Sequence, residues 1–126
     1  MPLINLLIVD DSTAIRKILQ RVLRQTDIPL GEVYEAGDGI EALERLRQHP
    51  INAVLTDINM PRMDGLELLR GMRASPEHKD MPVIMITTEG AQAKVAEAAT
   101  LGAVAYIRKP FTSDQIGAKL RSVLLQ

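Results

Sequence analysis

The feature of this sequence that most constrains its fold is the alternation of short apolar runs with longer segments of helical period. Five runs predict strands, and their sequences are LLIVD, EVYEA, NAVLTD, PVIMITT and VAYIRK. They are too apolar to leave one face of a sheet in water, which is typical of parallel strands covered by helices on both faces. Right-handed crossovers place helices on both sides of such a sheet. The sequence therefore predicts an α/β fold, an open, three-layer, doubly wound (βα)5 sandwich.

The segments between the runs carry helix signals. Two predicted helices each place their apolar residues on one face, Ile15, Ile18, Leu19, Val22 and Leu23 in the first and Ile40, Leu43 and Leu46 in the second. Capping-box spacing marks three helix starts, at Asp38 with Glu41, Asp64 with Glu67, and Thr112 with Gln115. Gly31, Gly102 and the prolines at 50, 82 and 110 are expected between elements. Gly117 stands out because it falls inside the last helix, where glycine costs about 1 kcal/mol relative to alanine.

Composition narrows the classes of function. The chain has 126 residues, 46% of them apolar, without a break in composition, so we expect one domain over residues 1–126. A net charge of -1 and 2% aromatic residues provide neither attraction for nucleic acid nor a surface for base stacking, so no nucleic-acid partner is expected. The sequence has no cysteine, no basic leader and no apolar stretch of membrane length. We therefore expect a cytoplasmic protein with no membrane insertion.

Polar residues follow the predicted strands at their carboxyl ends. Asp10 and Asp11 follow the first strand, Asp57 the third, Thr87 the fourth and Lys109 the fifth. In open α/β sheets, ligands bind at this edge, at the point where the strand order reverses. If the strand order is 2-1-3-4-5, the reversal lies between the first and third strands, and the three aspartates become neighbours.

Three neighbouring carboxylates need a source of positive charge. At about 5 Å and an effective dielectric near 20, each pair repels by about 3 kcal/mol. Carboxylates without His or Cys select a hard cation, and Mg²⁺ with bound waters fits better than a Ca²⁺ cage. Such an ion accepts phosphoryl oxygens, to which Lys109 adds charge and Thr87 a hydrogen bond. Asp57 is then a candidate nucleophile that takes up a phosphoryl group as an acyl phosphate.

Each of these residues also has a simpler explanation when it is considered alone. Asp10 and Asp11 suit a loop and a helix cap, Thr87 suits a strand, and an isolated lysine such as Lys109 is usually solvated. A turn and a helix cap explain Asp64 and Gly65, and core packing is an equally good explanation of Tyr106. Their coincidence at one sheet edge is what favours a functional site.

Four stretches resemble the signature motifs of response-regulator receiver domains, namely LIVDD, LTDINMPRMDG, MITTEG and YIRKPF, and the likeness extends from Leu3 to Leu125. The resemblance implies a flavodoxin-like, five-stranded parallel sheet of order 2-1-3-4-5. It also implies that Asp57 is the phosphoacceptor and that Asp11, Asp57 and the main-chain carbonyl of Asn59 bind Mg²⁺. Asp10 would assist through water or a hydrogen bond to the metal shell.

The same resemblance implies roles for the remaining residues. Thr87 would bond a phosphoryl oxygen, and Lys109 would pair with the phosphoryl charge and precede a cis peptide bond to Pro110. Thr87 and Tyr106 would form a switch that alters the face of the fourth helix, fifth strand and fifth helix. Asn59 and Glu89 would modulate how fast the phosphoryl group is lost.

The implied partner is a sensor histidine kinase whose phosphohistidine donates the phosphoryl group, with acetyl phosphate as a substitute. The domain would catalyse this transfer and its own dephosphorylation. MITTEG and MPRMDGLELL resemble the single-domain chemotaxis branch, which implies a flagellar motor-switch protein as the target. Ala91 and Gln92 replace lysines, and Ile58 a tryptophan, of the enteric chemotaxis protein, so the target stays open.

Three alternatives remain open at this stage. One is a phosphorelay intermediate that passes the group to a histidine phosphotransfer protein. A second is an aspartate-dependent phosphatase, although Asn59 stands where such enzymes carry their general acid. The third is an FMN binder, which Asp10 and Asp11 disfavour because they would repel its phosphate.

Overall fold

The structure is a computed structural model that describes residues 3–87 and 92–124. Strands and helices alternate through the described residues: β1 Ile4–Val9, α1 Thr13–Arg24, β2 Leu30–Ala36, α2 Gly39–Gln48, β3 Ala53–Asp57, α3 Gly65–Ala74, β4 Val83–Thr87, α4 Gln92–Thr100, β5 Ala105–Arg108 and α5 Ser113–Leu124. All neighbouring strands pair in parallel, in the order β2-β1-β3-β4-β5. The predicted doubly wound, flavodoxin-like fold is confirmed. No helix within the described ranges is both long and apolar enough to cross a membrane.

Two apolar cores lie on opposite faces of the sheet. Successive residues of β1 alternate between them, since Leu6 and Ile8 pack in one core and Leu7 and Val9 in the other. Helices α1 and α5 cover the first face, with Leu19, Leu23, Ile116 and Leu120 fully buried. Helices α2, α3 and α4 cover the second face, through residues such as Ala42, Leu69, Met72 and Ala98. Burial on both faces is the physical reason that the strand sequences are almost entirely apolar.

Some sequence predictions of burial and boundaries are wrong. Ile18 and Ile40 were expected on buried helix faces, but they are 42% and 38% exposed because they lie at the rims of their helix–sheet contacts. Strand β2 pairs only with β1 and is half-buried rather than covered, as is usual for an edge strand. Gly31 was expected between elements but lies within β2, where a Cβ would meet the Asn5 side-chain oxygen at 2.3 Å.

The predicted caps begin the helices directly after the loops at one sheet edge. Asp64 and Glu67 form a full capping box, as do Thr112 and Gln115. The Asp38 side chain accepts from the Glu41 N–H at 2.9 Å, but the Glu41 carboxylate accepts from Gly37 instead of returning to Asp38.

Candidate functional site

The acidic residues of two loops meet at the carboxyl edge of the sheet. Asp10 and Asp11 follow β1, and Asp57 ends the adjacent strand β3. Carboxylate oxygens of the three residues lie within 4.8 Å of one another. The strand order thus brings together residues that are 46 or more positions apart in the chain. Asp10 is buried and Asp11 exposed, so the cluster opens to solvent on the side of Asp11.

Among the described residues, Lys109 is the cation whose side chain contacts the carboxylates of this cluster. Its Nζ atom donates to Asp10 Oδ2 at 3.1 Å and lies 3.5 Å from Asp57 Oδ2. The lysine side chain is only 18% exposed, so the simpler expectation of a solvated lysine is wrong. The other Asp10 oxygen accepts from the Ser12 N–H at 2.9 Å, and Arg16 donates to the Asp10 carbonyl. Asp10 is therefore held by contacts on both carboxylate oxygens and on its main chain.

The Asp57 carboxylate is reachable but incompletely neutralised. Its Oδ1 atom accepts from the Ile58 N–H at 2.8 Å, and its side chain is 14% exposed. Burial raises the pKa of Asp57 above its ordinary value, the Asp10 charge adds to that rise, and Lys109 opposes it. A carboxylate whose charge is destabilised in this way is stabilised by a further cation.

The cluster fits a hard divalent cation. Its three candidate ligands are all carboxylates, with no His or Cys among them, which suits oxygen-preferring ions. With all three carboxylates ionised, Lys109 leaves a formal charge of -2, which a divalent ion would balance. The opening at Asp11 leaves room for waters in the coordination shell, as Mg²⁺ prefers.

The other predicted residues border the cluster or lie near it. Thr87 is 8% exposed at the end of β4, and its carbonyl accepts from the Lys109 N–H at 2.8 Å. Asn59 is exposed, and its side-chain oxygen accepts from Lys94 of α4. The Lys109–Pro110 bond is cis, as the resemblance implied. Glu89 lies outside the described residues.

Tyr106 links β5 to α4. Its hydroxyl donates to the Val95 carbonyl at 3.0 Å, and burial raises its pKa. The ring is half-buried and packs against the core that α4 helps to cover. Tyr106 therefore contributes to core packing and also makes a specific polar contact with α4.

Sequence reasoning missed three residues that shape this edge. Arg16 binds the Asp10 carbonyl, and Arg62 pairs with the buried Asp38. Gly65 was explained by the helix cap alone, but a Cβ there would lie 2.3 Å from the Asp57 carbonyl oxygen. No local pattern predicts the contact of Arg62 with Asp38, because it joins two loops that only the fold brings together.

Comparisons with known proteins agree with this geometry. The family model described as the response regulator receiver domain matches residues 6–121. The chain belongs to the response regulator receiver domain family. Receiver relatives include a chemotaxis protein CheY homolog of Campylobacter jejuni, 43% identical over 121 residues, which are 95% of this chain and 92% of that protein. The chemotaxis protein CheY1 of Helicobacter pylori (strain J99) is 44% identical over 95% of this chain and 96% of its own length.

A solved receiver structure has the same fold over nearly the whole chain. The chemotaxis response regulator CheY4 of Vibrio cholerae superposes with a TM-score of 0.86 at 33% sequence identity. The match covers 98% of this chain and 100% of that one. The receiver fold therefore accounts for the described strands and helices together, including the edge that carries the acidic cluster.

Proposed function

We propose that this receiver domain is a phosphorylation-switched module that accepts a phosphoryl group on Asp57 from the phosphohistidine of a sensor histidine kinase. The observation that carries the proposal is the position of the Asp57 carboxylate, held between two acids and Lys109 at an edge open to solvent. In the transfer, an Asp57 oxygen attacks phosphorus, the P–N bond breaks, and its electron pair remains on the imidazole nitrogen.

Asp11, Asp57 and the main-chain carbonyl of Asn59 would hold Mg²⁺, with Asp10 acting through water or a hydrogen bond. The bound ion supplies positive charge that offsets both the carboxylates and the incoming phosphoryl oxygens. The proximity of the three carboxylates supports this assignment. Lys109 neutralises part of the same charge, and Thr87 would donate its hydroxyl to a phosphoryl oxygen.

An apolar cavity next to the acidic cluster supports a protein as the donor. It has a volume of about 250 Å³ and is lined by Ile15, Ile18, Lys109, Pro110 and Phe111. Lys109 lines this cavity and also contacts the acidic cluster, so a protein bound in the cavity would lie close to Asp57. The 42% exposure of Ile18 leaves apolar surface available for such a contact.

We infer that the output is a change at α4, β5 and α5. Helix α4 buries little, since Ala98 is its one fully buried residue among those described and Val95 is half-buried. Tyr106 holds α4 through a single hydrogen bond to Val95, a contact worth about 1 kcal/mol. Movement of Thr87 toward the phosphoryl group and inward rotation of Tyr106 would break this hydrogen bond and allow α4 to move.

The target is a protein, and the chemotaxis names of the relatives favour a flagellar motor-switch protein. Asn59 and Glu89 would tune the rate of dephosphorylation. A phosphorelay role would instead make a histidine phosphotransfer protein the recipient. Labelled protein distinguishes the two, because only a relay transfers its label to the histidine of the partner.

Intact-mass spectrometry with acetyl phosphate and Mg²⁺ tests the chemistry directly. We expect one phosphoryl adduct that disappears with EDTA and in the Asp57→Asn variant. If acetyl phosphate produces no adduct, the same measurement with an active sensor kinase and a binding titration with beryllofluoride and Mg²⁺ follow. Failure of all three would overturn the proposal.

A further inference from the structure

The loop between β3 and α3 makes an unfavourable turn at Arg62. This residue has φ of 63°, and the Met63 N–H donates to the Pro61 carbonyl at 2.6 Å across it. Such three-residue turns with positive φ are rare and cost about 1–3 kcal/mol for a residue with a side chain. Glycine would adopt this backbone more readily. Other contacts must therefore hold the turn at Arg62.

The side chain of Arg62 supplies one of these contacts. Its Nε atom donates to Asp38 Oδ2 at 2.7 Å, and a second guanidinium nitrogen contacts the same oxygen. Asp38 is only 4% exposed, and its other oxygen caps α2 through the Glu41 N–H. A carboxylate buried to this extent strongly requires a paired cation. The acid is what differs from the pair of Arg70 and Glu97, since the Glu97 side chain is 47% exposed, whereas the two arginine side chains are similarly exposed, Arg62 at 58% and Arg70 at 52%.

Main-chain contacts dock the same loop on either side. The Gly39 N–H donates to the Met63 carbonyl at 2.9 Å, and a Cβ on Gly39 would lie 2.5 Å from the Met63 side chain. At the other end, the Gly65 N–H donates to the Ile58 carbonyl at 2.8 Å. The loop that follows Asp57 is therefore closed by the hydrogen bond between Ile58 and Gly65 and is fastened to the start of α2.

We propose that Arg62 and Asp38 are positioning residues that hold this loop in the conformation in which Asp57 and Asn59 bind Mg²⁺. The inference rests on the proposed function, because that function places both ligands on this loop. Neither Arg62 nor Asp38 belongs to the acidic cluster or to the proposed metal ligands. Their contribution is to fix the backbone between them and the site, so that metal binding does not have to order it.

Calorimetric titration of the unphosphorylated protein with Mg²⁺ at pH 7 tests the inference without measuring activity. Arg62→Met removes the cation, and Asp38→Asn removes the charge while keeping a good helix cap. We expect each variant to bind Mg²⁺ about 3- to 10-fold more weakly than the wild type, which is about 0.7–1.4 kcal/mol. The double variant should be no weaker than the weaker single variant, because both changes break one pair. Arg62→Lys should recover most of the affinity.

The matched control is Arg70→Met, which breaks the exposed pair with Glu97 and should leave Mg²⁺ affinity unchanged. Amide NMR spectra of the metal-free variants provide a second readout, since a displaced loop shifts the Ile58 and Asn59 resonances. The proposal is overturned if both single variants, folded by circular dichroism, bind Mg²⁺ within twofold of the wild type with those resonances unmoved. If Arg62→Met does not fold, Asp38→Asn, which keeps the helix cap, carries the test alone, and Mg²⁺ affinity within twofold of the wild type then overturns the proposal. If the wild type itself binds no Mg²⁺, the proposed metal site is wrong, and this result is distinguishable from a wild type that binds Mg²⁺ and variants that bind it equally well.

Discussion

Replacing Lys109 by methionine tests the electrostatic balance of the receiver site most directly. The lysine Nζ lies 3.1 Å from Asp10 and 3.5 Å from Asp57, and at an effective dielectric near 20 each contact contributes about 5 kcal/mol of attraction. Desolvation of the lysine offsets part of this gain. Removing one partner of a buried pair typically lowers stability by about 3–5 kcal/mol. Because the mouth is open at Asp11, we expect Lys109→Met to lower the free energy of unfolding by about 2–4 kcal/mol without metal.

Urea denaturation in EDTA and in saturating Mg²⁺ provides the measurement. A divalent ion would supply the missing positive charge, so Mg²⁺ should stabilise Lys109→Met more than the wild type. Adding Asp57→Asn should recover part of the loss in EDTA, because it removes one of the unpaired charges. Lys119→Met, at an exposed position on α5, is the control and should change stability little. An unchanged stability of Lys109→Met in EDTA, or a loss that Mg²⁺ does not reduce, would refute this account of the site.

Three further predictions concern donor docking, helix packing and pH. Ile18→Glu should slow phosphorylation by a sensor kinase at least about tenfold, because it places a charge in the apolar cavity, whereas acetyl phosphate should label this variant normally. Ile40→Glu, at a similarly exposed isoleucine of α2, is the control and should behave like the wild type with both donors. Gly117→Ala should raise the free energy of unfolding by about 1 kcal/mol, because alanine favours the helix more than glycine does. The new methyl group has room, since its nearest neighbour is Thr26 Cγ2 at 3.4 Å, and a loss of stability in urea would show that α5 cannot accept it. Burial opposes ionisation of Asp38, but hydrogen bonds from Glu41 and Arg62 and the Arg62 charge outweigh it and lower its pKa. The ionised form therefore stabilises the fold fully above the ordinary aspartate pKa near 4, and this contribution is lost as pH falls below that value and through the lowered pKa. The stability deficit that we expect for Asp38→Asn at pH 7 should therefore shrink in urea denaturation as the pH is lowered into the acid range.

The contacts around Gly117 bear on why a glycine lies inside α5. Glycine inside a helix indicates either close packing or the approach of another molecule. A Cβ at position 117 would meet Thr26, in the loop after α1, and Arg121 at ordinary contact distances, so the packing of that loop on α5 does not require glycine. At Gly65 the opposite holds, because the Asp57 carbonyl occupies the space of a side chain. Close packing therefore requires glycine at position 65 but not at position 117, and the difference lies in the segment that packs against each residue.

The face that a helix buries was predicted only in part. Leu19 and Leu23 are fully buried as the helical period of α1 requires, whereas Ile18 on the same predicted face is not. A period identifies the direction of the apolar stripe, but its edges depend on how the helix sits on the sheet. Ile18, the exposed residue at the edge of this stripe, lines the cavity beside Lys109 and is therefore part of the proposed docking surface.

The sequence by itself determined the alternation of strands and helices, the capped helix starts and the residue types at the carboxyl edge of the sheet. These features depend on apolar spacing and on hydrogen bonds between residues a few positions apart, which a linear chain already encodes. Only the tertiary structure decided that Asp10 is buried while Asp11 is exposed, and that Lys109 pairs with an acid 99 positions away. It also decided that Arg62 reaches Asp38 on another loop. Burial and ion pairing depend on distances through space between segments, and those distances exist only after the sheet has ordered its strands.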